Sequence, residues 1–95
     1  MIFHITATHT HATCYAHHED KRDLFVKTIA SASEHGIEVR SCLVNAGAHK
    51  IYLVIESDSL ADITTWMGPI LDLNDYETMP VVDMKSAIES ITGEG

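Results

Sequence analysis

From Ile2 to His9 apolar and polar positions alternate, with Phe3, Ile5 and Ala7 on one side and His4, Thr6 and Thr8 on the other. That period of two predicts a strand. The period then lengthens. Glu19 and Asp20 open a helical pattern at the end where negative charge complements the dipole, and Leu24, Phe25, Ile29 and Ala32 form its apolar stripe. Gly36 stands where such a helix stops. Residues 37–44 predict a second strand, Asn45-Ala46-Gly47-Ala48 a turn, and 50–56 a third strand, so 37–56 reads as a hairpin. Ser59-Leu60-Ala61-Asp62 resembles a capping box with Asp in the Glu position, ahead of Ile63, Trp66 and Met67 at helical spacing. Gly68-Pro69 ends that helix. A last strand over 76–82 leads into a short helix over 83–91 with apolar Met84, Ala87, Ile88 and Ile91.

The order is βαββαβ with a helical tail, an α+β chain of ferredoxin-like arrangement. Two helices then cover one face of an antiparallel sheet and leave the other bare. In the third strand Ile51, Leu53 and Ile55 form one row, yet the opposite row of Tyr52, Val54 and Glu56 is also mostly apolar. A solvated face alternates more cleanly, so the expectation is a homodimer stacked sheet on sheet. Residues 1–92 are expected to form one domain, with 93–95 a frayed tail.

Composition narrows the partners. A formal charge of −8 argues against nucleic acid or an anionic membrane, both of which reward basic patches. No apolar run has the length of a membrane span, and the start Met1-Ile2-Phe3-His4 carries no basic n-region, which leads to the expectation of a cytoplasmic protein. Two cysteines, Cys14 and Cys42, are too few for a disulfide framework. Cys42, on the second strand, is expected to be a small buried hydrophobe.

The stretches HKIYLVIESDSLADITTWM, running from strand into helix, and DYETMPVVDMKSAIESI, a closing strand and helix, resemble the dimeric α+β barrel superfamily. Within it the chain is most similar to small uncharacterised bacterial domains whose last strand carries a PVV-like segment, and a related branch binds nickel. The superfamily also holds heme-degrading and antibiotic-biosynthesis monooxygenases, chlorite dismutase-like proteins and muconolactone isomerases, so the resemblance implies a fold and leaves the activity open. The His-x-His-x-x-Cys segment departs from the monooxygenase patterns.

Candidate chemistry concentrates in HITATHTHATCYAHHED, residues 4–20, which hold five of the seven histidines and one of the two cysteines. In the expected topology the end of the first strand shares a rim with the starts of the third and fourth. His9, His11 and Cys14 then meet His49, Asp75 and Glu77 there. His9 and His11 point the same way in an extended segment, about 6.6 Å apart at Cα. Imidazole with thiolate suits zinc, nickel or copper over magnesium or calcium. The expected ligands are His9, His11, Cys14 and His17, with His18 an alternative to His17 and His49 in reserve. Cys14 also has a nucleophile reading, near histidines and a helix start, although no triad is visible.

A rival reading places an oxygenase or isomerase of the barrel type in a lumen lined by His4, Thr6, Tyr52 and Glu56, acting on a small organic molecule. If His9 lies near Lys50 or Ile51, His4 approaches Ile55 and Glu56, and a His4–Glu56 couple would be its acid/base pair. A structural hydrogen bond between the two is the plainer alternative.

Overall fold

The computed structural model describes residues 1–93. Four strands, β1 (Ile2–Thr8), β2 (Glu38–Asn45), β3 (Lys50–Glu56) and β4 (Asp75–Val81), form one antiparallel sheet in the order β2-β3-β1-β4. Helices α1 (Glu19–Ala30) and α2 (Leu60–Met67) cover one face, and α3 (Met84–Thr92) follows β4. The expected ferredoxin-like βαββαβ fold is the observed one, with element ends displaced by a residue or two. The expected frayed tail lies outside the described residues except for Gly93, which caps α3 in the left-handed region at φ 75°.

The core is the row the alternation marked. Phe3, Ile5 and Ala7 of β1 and Ile51, Leu53 and Ile55 of β3 are buried beneath α1 and α2. In α1 the buried stripe is displaced from the expected one. Leu24 is exposed, while Phe25 and Thr28 face the core and Ile29 packs against it. Phe25, Thr28, Ile29 and Ala32 follow the i, i+3, i+4, i+7 spacing of one helical face, and the polar Thr28 hides this in the sequence. Ile63, Trp66 and Met67 of α2 are buried as expected, and the Trp66 indole N–H donates to the Thr28 carbonyl at 2.7 Å. Ser59 caps α2, its hydroxyl accepting from the Asp62 amide at 3.1 Å.

Register fixes what each strand end can reach. Thr8 stands opposite Lys50 and Asp75, and His4 opposite Val54 and Met79. The expected approach of His4 to Ile55 and Glu56 is therefore off by one to two residues. The Glu56 carboxylate is instead engaged by Arg40, and its partner across β1 is Ile2. A bulge between Val39 and Ser41 interrupts the β2–β3 ladder, and Pro80 sits in the opposite edge strand. Cys42 is exposed, which corrects the expectation of burial: β2 is an edge strand, and an open hollow lies between Cys42 and α1.

Candidate metal centre

The rim beyond β1 is assembled by backbone bonds. The His9 amide donates to the His49 carbonyl at 3.1 Å, tying the first residue after β1 to the residue before β3. Thr10 and Thr13 then close a tight turn: the Thr13 hydroxyl accepts from the Thr10 amide at 2.9 Å, and the Thr13 amide reaches the Thr10 carbonyl at 3.1 Å. Such Ser/Thr side-chain bonds favour turns over regular structure. Tyr15, fully in the core, anchors the returning chain. Cys14 is thereby folded back toward His9.

One nitrogen or sulfur atom from each of His9, Cys14 and His49 lies within 4.8 Å of the others. In a tetrahedral zinc site with the usual bond lengths the donors stand about 3.3–3.6 Å apart. Closing on an ion thus asks for a contraction of at most about 1.5 Å, which Cys14, on a loop outside the sheet, is placed to supply.

A relay of hydrogen bonds sets the orientation and tautomer of His9. The Ile70 carbonyl can only accept, so the Tyr76 hydroxyl donates to it, at 2.7 Å. The Tyr76 oxygen must then accept from the Asn74 amide group at 3.2 Å, and the same nitrogen donates to the Tyr15 hydroxyl at 2.9 Å. The amide orientation follows, and Asn74 Oδ1 is left facing His9 Nδ1 at 2.9 Å. An amide oxygen accepts only, so the neutral His9 ring takes the tautomer with its proton on Nδ1, which leaves Nε2 as the nitrogen that can meet an ion. Metal-binding histidines are held by such partners. Burial pushes both phenols up, Tyr76 to about 12, against the opposing effect of the bond from Asn74; the hydroxyls stay protonated and the relay stays intact.

His49 is held differently. It is the one described non-glycine residue with positive φ, at φ 55° and ψ 42°, and its Nδ1 is buried without a hydrogen-bond partner. Histidine tolerates the left-handed region better than most residues, yet it still costs energy there, and an unmade buried hydrogen bond costs more. A cation coordinated through that nitrogen would supply the missing partner.

Of the expected ligands, the structure gathers His9 and Cys14 and adds His49. The His11 ring centre is 6.0 Å from that of His49, on an exposed residue, and it stands outside the gathered set. His17 is exposed on the turn before α1 and is not brought to the group. His18 caps α1, its Nδ1 accepting from the Lys21 amide at 3.3 Å. Asp75 is exposed and engages none of the three; the neighbouring Asn74 serves the site instead. Asn74, Tyr15 and Tyr76 had no signal in the sequence beyond a position close to the rim. On the open sheet face the rings of His4 and Tyr52 are 6.4 Å apart, and a second layer would be needed to turn that face into a lumen.

No helix among the described residues is long and apolar enough to cross a membrane. No curated protein matches the chain. Among solved structures it is similar to a chain of the MjSpt4:Spt5 complex in conformation A, at 15% identity and TM-score 0.44. The match covers 97% of this chain and 58% of that one, and a likeness of that size carries no argument about function or partners. A family model does match, over residues 1–94, and the chain belongs to that family, described as a domain of unknown function, DUF3303.

Proposed function

We propose that the protein is a cytoplasmic transition-metal-binding protein that holds one zinc, nickel or copper ion through His9, Cys14 and His49. The observation that carries this reading is the convergence of the three donors, with Asn74 occupying His9 Nδ1 and leaving Nε2 for an ion. Two imidazoles and a thiolate suit a borderline-soft ion, and a reducing compartment keeps the thiol available. Three protein ligands leave one position for water or a bound molecule, the arrangement of open sites. His11 is a further imidazole beside His49, and His17 has no place in the set. Titration of tag-free, chelator-stripped protein with zinc, nickel and copper in turn, followed by elemental analysis, tests the reading. About one equivalent of at least one metal is expected, with release of protons from the thiol. Retention below about a tenth of an equivalent of all three sinks it.

We further propose that the protein is a homodimer. On the uncovered sheet face Leu43 is 65% and Met79 51% exposed. The α3 helix buries none of its residues, and Met84 and Ile91 are 75% and 84% exposed. The radius of gyration is 15.0 Å, where a compact chain of this length has about 12 Å, because α3 stands away from the body. An apolar helix face and a half-apolar sheet face with no cover are a pair of surfaces that a second copy would bury. In that assembly His4, Tyr52 and Glu56 would line a lumen, but Arg40 already neutralises Glu56, which favours the rim over the lumen as the seat of chemistry. Sedimentation equilibrium is expected to give twice the chain mass, and Met84→Glu with Ile91→Glu is expected to give monomers. A monomer for the unaltered protein overturns this assembly.

A further inference from the structure

Beside the three donors a cavity of about 370 Å³ opens between α1 and the β2–β3 hairpin, within the size range of small-molecule sites. His9, Cys14 and His49 form part of its wall, while Phe25, Val44 and Ile51 give it an apolar floor. A second hollow of about 310 Å³ shares Phe25, Val26 and Cys42 with it, so the apolar space continues along α1.

We infer that this cavity binds a small aromatic monocarboxylate, its ring on the apolar wall and its carboxylate toward Arg22 and, where an ion is held at the rim, toward that ion. Three features select that class. Among the described residues lining it, Arg22 is the single Lys or Arg and no Asp or Glu is present, in a chain of formal charge −8. Arg22 spends one Nη on the Ala16 carbonyl at 3.2 Å and lies 3.9 Å from exposed Asp23, which leaves guanidinium donors for an oxyanion. The wall is aromatic: the rings of His9 and Tyr15 are 5.0 Å apart and those of Tyr15 and Phe25 6.1 Å, both tilted, which leaves edges and faces for a further ring.

The inference shares its residues with the metal reading and rests on it only for the rim end of the cavity, so its test uses metal-free protein. Amide spectra are recorded as benzoate is added, with benzyl alcohol, which keeps the ring and lacks the carboxylate, in parallel. Saturable shifts at Phe25, Val26 and Val44 in the millimolar range are expected for benzoate. Affinity for benzyl alcohol should be about tenfold lower, and Arg22→Gln should bring benzoate down to that level, the size of one charge-assisted hydrogen bond. Arg22 is exposed, so the variant will fold. Absence of shifts at those amides overturns the inference even where zinc still binds, and so does equal affinity for the two probes. Contacts from Ile88 or Ile91 of a second copy to Val26 would also overturn it, since the cavity would then be occupied by protein.

Discussion

Replacing His49 with glycine is expected to lower zinc affinity at least about a hundredfold while leaving the metal-free protein as stable as before, or more stable by about 1 kcal/mol. The two halves of that outcome have separate causes. Loss of affinity follows from removing one of the three proposed ligands, the imidazole nearest both His9 and His11. Retained stability follows from the backbone. At φ 55° a side chain is strained, and glycine is not. The substitution also removes a buried Nδ1 that has no partner, a group whose isolation costs about 1–3 kcal/mol. Most buried-residue substitutions do the opposite and destabilise. A residue whose removal relieves the fold is one kept for another purpose, and strained positions of this kind cluster at functional sites. Zinc calorimetry and urea unfolding on the same preparation check both halves. Unchanged zinc affinity, or a stability loss above about 1 kcal/mol, contradicts the role assigned to His49.

The largest effect on folding is expected at Trp66. Changing it to alanine should cost about 3–5 kcal/mol, enough to remove much of the stability of a chain of this size. Trp66 is 1% exposed and joins α2 to α1, through packing and through its bond to the Thr28 carbonyl. The cost comes from the cavity. The Thr28 carbonyl keeps a partner without the indole, because the Ser31 hydroxyl also donates to it, at 2.7 Å. Trp66→Phe, which retains most of the volume and loses the N–H, should therefore cost clearly less than Trp66→Ala. The melting temperature should fall by tens of degrees for alanine, at about 4–8 °C for each kcal/mol. Equal losses for phenylalanine and alanine would assign the stabilisation to the hydrogen bond instead.

The strands and their inner rows were legible because a period of two survives wherever one face is covered. Phe3, Ile5 and Ala7, and Ile51, Leu53 and Ile55, could be placed in the core from alternation alone. The stripe of α1 was misplaced because Thr28, polar by type, is a core residue by position, and Leu24, apolar by type, is not. Strand register was beyond reach of the pattern: His4 lies opposite Val54, two positions short of Glu56, which stands opposite Ile2. At the rim, histidine density marks the loop that carries His9 and Cys14 but does not rank its members. His9 and Cys14 are gathered and His17 is not because the Thr10–Thr13 turn and buried Tyr15 set the path between them. Asn74 lies 65 residues from His9 in the chain, and no local spacing announces that it fixes the imidazole's proton.

Both margins of the sheet carry a stop. On one side the bulge between Val39 and Ser41 throws the free backbone of β2 out of line, and on the other Pro80 withholds an N–H from any strand that would dock beside β4. Lateral growth into a continuous ribbon of chains, the route toward fibres, is thereby discouraged at each end. Concentrated solutions should stay clear and free of filaments, with self-association confined to discrete particles.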